Sequence, residues 1–170
     1  SLGSLTNLNT MTIYSNCFTG SIPTSVGNLI NMLHIAVNSN ELTGSIPSGL
    51  GSMQYLTRFL AQRNCLDGII PSSLGKANFL KAIDVSRNSL SGTIPSSLGD
   101  LTLSLNTLDL EINCLGGLIP SSLCKLTDVE IVIEPQLSPE ENPLTYPVCL
   151  YPTGIPTTPP TGQPSGFPTG

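Results

Sequence analysis

The chain has 170 residues, with 6 Lys+Arg against 11 Asp+Glu and a formal net charge of −5. Charged residues are only 10% of it, where soluble domains carry about 25%. No basic surplus exists to neutralise phosphates, which argues against nucleic acid as a partner. No apolar run approaches the roughly 18–20 residues that a membrane-spanning helix needs. The single histidine, His34, leaves no room for a multi-histidine metal site.

The chain is dominated by an internal repeat, Asn-x-Leu-x-Gly-x-Ile-Pro. Its Asn falls at Asn16, Asn40, Asn64, Asn88 and Asn113, and its Pro at Pro23, Pro47, Pro71, Pro95 and Pro120. The spacing is 24, 24, 24 and then 25 in both series. Upstream of each Asn runs L-x-x-L-x-L, clearest at Leu80-Ile83-Val85 and Leu105-Leu108-Leu110. The alternation predicts a short strand with two side chains inward. The Asn follows where the chain turns, and a buried side-chain amide there can satisfy backbone groups of its own and neighbouring coils. Gly permits the turn, and Pro fixes φ on the outer side. One coil cannot bury its own apolar face, so coils must stack and share a core.

These coils resemble plant-type leucine-rich repeats of the 24-residue subclass, over about Leu5 to Leu126. The resemblance implies an α/β solenoid: a right-handed, curved coil with a parallel sheet on its concave face. It also implies extracellular recognition or scaffolding rather than catalysis, with no cofactor. Two departures are mild: a one-residue insertion at Leu101–Leu105, and Asp67 where Thr is usual. Residues 1–126 are read as five repeats. Val129–Ile133 alternates and predicts one last parallel strand. Residues 127–150 are read as a C-terminal cap. The opening SLGSLTNL falls inside the repeat and has no leader, so the chain is expected to be a piece of something longer.

Cys17, Cys65 and Cys114 occupy one slot, directly after the Asn, in alternate coils. Two coils separate neighbours by roughly 9–10 Å, and a disulfide needs Cα atoms within about 7 Å. These three should therefore remain unpaired, as small half-buried side chains. Cys124–Cys149 is the expected pair, tying the cap to the stack, with Cys114 the rival partner for Cys149.

Residues 151–170 form a tetrapeptide series. Pro152, Pro156, Pro160, Pro164 and Pro168 are each followed by a hydroxyl residue: Thr153, Thr157, Thr161, Ser165 and Thr169. Proline at this density suits polyproline II, and Ser/Thr with Pro is the composition of O-glycosylated stalks. The five hydroxyls are candidate O-glycosylation positions, and the five prolines are candidates for hydroxylation. The plain alternative is an unmodified linker. The tail resembles Pro-Thr/Ser-Gly runs of secreted algal, diatom and oomycete proteins. No Asn begins an N-x-Ser/Thr sequon.

The repeat register also lists the concave face. One outward column is Thr12, Ala36, Leu60, Asp84 and Asp109; the next is Tyr14, Asn38, Gln62, Ser86 and Glu111. Arg58, Arg63, Arg87 and His34 lie nearby. Asp84, Asp109 and Glu111 form an acidic corner suited to a cation or a basic peptide. Tyr14 with His34 is a candidate sugar-stacking pair. The bland alternative is a solvated polar sheet. No catalytic constellation is apparent. Two main functions follow, both extracellular, with ice binding through a regular repeat face a distant third. The first is a structural head on a glycosylated rod, self-associating head to tail into a filament or matrix. The second is a recognition module that binds a peptide or polysaccharide on the concave face.

Overall fold

The computed structural model describes residues 2–133. The cap beyond Ile133, Cys149 and the whole tetrapeptide tail lie outside the described residues. The strands in chain order are β1 (Thr10–Thr12), β2 (Thr19–Ser21), β3 (His34–Ala36), β4 (Glu41–Ser45), β5 (Arg58–Leu60), β6 (Cys65–Asp67), β7 (Ala82–Asp84), β8 (Ser91–Gly92), β9 (Thr107–Asp109), β10 (Cys114–Leu115) and β11 (Glu130–Val132). Odd-numbered strands form one six-stranded parallel sheet in the order β1-β3-β5-β7-β9-β11. β11 pairs with β9 through Ile131 and Leu108, so the strand expected at 129–133 extends the stack.

The side opposite the sheet carries five-residue 3-10 turns, such as Ser72–Lys76 and Ser96–Asp100. The helical part of this α/β solenoid is thus 3-10 among the described residues. Each five-residue turn follows its repeat proline, whose φ lies between −67° and −61°. Proline is preset for that entry and has no N–H to leave unsatisfied. Each turn then sends one apolar side chain inward, as Leu50, Leu74 and Leu98 do at 0% exposure. The turns stack so closely that a Cβ at Gly75 would sit 2.2 Å from Ser97 O. Only glycine allows that approach. The equivalent position in the last turn is Cys124, which is disulfide-bonded. Its expected pairing with Cys149 falls outside the described residues.

The core is one continuous cluster built from columns of equivalent residues. Ile35, Phe59, Ile83, Leu108 and Ile131 form one column at the centres of the sheet strands. The even-numbered strands were not expected. The segment after each Asn was read as a turn, but its apolar Leu alternates with outward residues and pairs between coils. β2-β4-β6 form a three-stranded parallel sheet and β8-β10 a two-stranded one. A bridge between Ile69 and Ser91 joins them. Cys17, Cys65 and Cys114 project outward here, exposed and free, rather than half-buried. The alternation that buries Leu66 and Leu115 turns their neighbours Cys65 and Cys114 to solvent.

The repeat asparagines bind coil to coil. Asn88 Oδ1 accepts from Leu66 N–H at 2.9 Å. Its amide donates to Ala61 O of the preceding coil and to Val85 O of its own, both at 3.0 Å. Asn40, Asn64 and Asn113 repeat the pattern. Asn16 has no described coil before it and donates only to Ile13 O and Tyr14 O. The residue before each Asn takes a left-handed φ of 54–56°, including the β-branched Ile112. That is a conformation such residues rarely adopt, and it is held here because it aims the next side chain into the stack.

Asn88→Ala leaves these backbone groups without partners, at about 1–3 kcal/mol for each group that stays buried. A loss of roughly 2–4 kcal/mol is expected by chemical denaturation. Asn16→Ala, which breaks no bond to a described coil, should cost under about 1 kcal/mol, and exposed Ser89→Ala should be near neutral. Equal losses at Asn88 and Asn16 would contradict the inter-coil role.

Candidate functional site

The concave sheet presents its outward residues in straight columns, because parallel register fixes each to its equivalent one coil on. Thr10, His34, Arg58, Ala82, Thr107 and Glu130 make one column. Thr12, Ala36, Leu60, Asp84, Asp109 and Val132 make the next, as the repeat predicted up to Asp109. The backbone bonds from Ser39 N to Gln62 O and from Arg87 N to Glu111 O continue the alignment beyond the strands.

The acidic corner exists and is built by local turns. Asp84 Oδ1 accepts from Ser86 N–H at 3.1 Å and from the Ser86 hydroxyl at 2.7 Å. Asp109 Oδ1 accepts from Glu111 N–H at 3.0 Å. Such Asx bonds hold each carboxylate down on its own strand end. Glu111 is already engaged, pairing with Arg87 at 3.5 Å. Burial pushes the Asp109 carboxyl above its ordinary range. The Glu111 N–H opposes that shift, while Asp84, Glu111 and Glu130 add to it. Among the described residues no group of three or more His, Cys, Asp or Glu is placed to hold a metal ion.

His34 lies across the sheet from this corner. Its Nδ1 sits 3.1 Å from the Thr57 hydroxyl, which also lies 2.9 Å from Leu33 O. The ring is therefore oriented from the next coil. Tyr14 does not join it. Thr10 is the residue opposite His34, so Tyr14 lies four residues further along, about 13 Å at 3.3 Å per residue. The register thus does not make the two direct neighbours.

The structure adds aromatic groups that the strand columns omit. Tyr55 and Phe79, 52% and 58% exposed, stand just ahead of β5 and β7. They are 24 residues apart and thus occupy the same place in successive coils, in the turns that lead into β5 and β7. The reading from sequence took outward positions within the strands and just after them; the same period, carried three residues upstream, finds them. A separate depression of about 390 Å³, lined by residues including Ile46, Pro47, Ile69 and Pro71, is wide open and lies away from the concave face.

Comparison with known proteins places this architecture. Leucine Rich Repeat models match residues 7–29, 79–101 and 104–126. No curated protein sequence matches. A chain of the BIR3–SERK2 complex from Arabidopsis thaliana is 32% identical, with a TM-score of 0.61, over 74% of this chain and 70% of that one. The chain is a leucine-rich repeat protein. The ectodomain of the plant membrane receptor kinase GASSHO1/SCHENGEN3 from Arabidopsis thaliana, solved with CASPARIAN STRIP INTEGRITY FACTOR 2, is 40% identical over 77% of this chain, with a TM-score of 0.74. The plant peptide hormone receptor RGFR1, solved with RGF2, is 35% identical over 77%, with a TM-score of 0.75. This chain spans 16% and 21% of those two structures.

On the concave face Arg58 stands in an earlier coil and Asp84, Asp109 and Glu130 stand in later ones, where Arg87 pairs with Glu111. No helix among the described residues is long and apolar enough to cross a membrane.

The raised Asp109 pKa has a stability consequence. The folded state binds this proton more tightly than the unfolded chain does. The carboxylate therefore costs stability once pH rises through its folded pKa, and the cost vanishes where both states are protonated. Asp109→Asn should raise the melting temperature at neutral pH and give no gain below about pH 3. A gain equal at both pH values would contradict the electrostatic cause.

Proposed function

We propose that this leucine-rich repeat segment is the recognition part of an extracellular protein, and that its concave face takes an extended peptide. The observation that carries this is that His34 and Arg58 share one column of the sheet, that exposed Tyr55 and Phe79 stand in the turns leading into β5 and β7, and that Asp84 and Asp109 follow in the later coils. Exposed aromatic and arginine side chains are the usual anchors of protein recognition, and opposite charges at two ends of one face fix a ligand's direction. The column from Arg58 through Ala82 to the Asp109 strand advances two coils, about 10 Å at the strand spacing. That suits a peptide with a carboxylate near Arg58 and a basic group near Asp84 and Asp109. The similar receptor ectodomains, two of them solved with their ligands, support this reading. The rival reading, a structural head on a glycosylated rod, depends on residues 151–170, which lie outside the described residues.

The test titrates the full chain with short synthetic peptides that carry Lys or Arg at one end and a free carboxylate at the other. Amide shifts are followed by NMR and affinity by calorimetry. Shifts should cluster on β3, β5, β7 and β9. Tyr55→Ala and Phe79→Ala should each weaken binding by roughly ten-fold or more, and Asp84→Asn by several-fold. Shifts confined to the 3-10 side, or affinity indifferent to all three substitutions, would overturn the proposal.

A further inference from the structure

At the starts of the second set of strands, β2, β4, β6, β8 and β10, or two residues ahead of them, runs an outward row that the recognition face does not use. The slot after each repeat Asn reads Cys17, Glu41, Cys65, Ser89 and Cys114, and every member is exposed. The three cysteines are free. The row is evenly stepped. Thr19 pairs with Glu41, Thr43 with Cys65, Ile69 with Ser91 and Ser91 with Cys114. Each coil therefore advances the row by one strand and two residues, the inserted residue notwithstanding. Cys17 to Cys65 and Cys65 to Cys114 are the same displacement, about 10 Å across the strands and about 13 Å along them.

An evenly stepped row is self-complementary about its midpoint. Turned over on a two-fold axis through Cys65, in the plane of the face and across the row, Cys17 falls on Cys114 of a second copy, and Cys65 falls on Cys65. Glu41 then falls on Ser89, whose hydroxyl can donate to its carboxylate. The other two-fold arrangement, parallel, sets Glu41 against Glu41, so charge selects the antiparallel one. Asp67, the other charge on this face, is carried to the opposite side of the axis from its symmetry mate, roughly 10 Å away by the same spacings. Flanking residues Thr19, Thr43, Ser91 and Gly116 are small, which lets two backbones approach to the separation that a disulfide requires. Ile69 and Leu118, two and three residues past β6 and β10, are 62% and 71% exposed, apolar surface that a second copy would cover.

We infer that this face is a dimerisation surface, on which two copies of the chain pack antiparallel and are joined by Cys65–Cys65 and two Cys17–Cys114 disulfides. The two-fold makes the interface isologous and closed, so it yields dimers and not fibres. The oxidant is a low-molecular-weight disulfide. One protein thiolate attacks it, forming a mixed disulfide and releasing one small thiol. The facing protein thiolate then attacks the mixed disulfide and releases the second. Each link thus consumes two protein thiols and one small disulfide and yields two small thiols.

The test equilibrates the full chain in glutathione and glutathione disulfide, measures mass by light scattering, and maps linked peptides without reduction. Mass should double from 17.8 kDa for the bare chain, with Cys65–Cys65 and Cys17–Cys114 peptides recovered. Cys65→Ser should still dimerise through the two outer links. Ser89→Glu, which sets a second carboxylate against Glu41, should slow linkage by about ten-fold. A chain that stays monomeric with its thiols free or capped by glutathione overturns the inference. So do Cys17–Cys17 and Cys114–Cys114 links, links through Cys124, or a rate that Ser89→Glu leaves unchanged.

Discussion

The structure depends on one side chain placed once per coil. Each turn off the concave sheet leaves backbone donors and acceptors pointing into the stack, where from the second coil on they are buried or partly buried. A buried amide or carbonyl without a partner costs about 1–3 kcal/mol, and a stack of coils would repeat that cost at every level. The asparagine amide removes it. Its oxygen accepts from the N–H two residues past the preceding Asn, and its nitrogen donates to carbonyls of both coils. A carboxylate could not donate, and a hydroxyl could not reach as many partners. The Asn therefore links sequence period to coil spacing more directly than the leucines do. Leucine demands only an apolar neighbour, whereas Asn demands particular atoms at particular distances.

Everything on the surface inherits that spacing. Because coils are locked level by level, the concave residues stand in columns, and chemistry is encoded by which coil carries which side chain. This is how a short segment can hold His34 and Arg58 at one end of a face and Asp84 and Asp109 at the other, without a loop or a cleft to position them. The same locking gives the opposite row its even step. Parallel pairing advances the second set of strands two residues per coil, so residues two coils apart repeat the same displacement.

The columns of the concave face were legible in the residues, since a strict period plus alternation determines which positions point outward. The last strand, at Glu130–Val132, was legible for the same reason. The second strand set was not, because the Leu-x-Gly segment is short and its glycine reads as a turn; pairing with neighbours, which is not local, makes it a strand. The exposure of Cys65 and Cys114 follows from that missed alternation. Tyr55 and Phe79 lie just ahead of their strands, where alternation says nothing, and only the period relates them. The separation of Tyr14 from His34 was implicit in the register but hidden by their closeness to the same sheet.

The central claim is that asparagine side chains complete the hydrogen bonding between coils. Native-state amide hydrogen exchange tests it most directly, at Leu42, Leu66 and Leu90, whose N–H groups donate to Asn64, Asn88 and Asn113. If the side chains close the stack, these amides exchange as slowly as those of Ile83 and Leu108 at the centre of the concave sheet, and they open only with the whole solenoid. Exchange at Leu42, Leu66 and Leu90 as fast as at the exposed Ser96 and Ser121 would show that the asparagines do not hold the coils together.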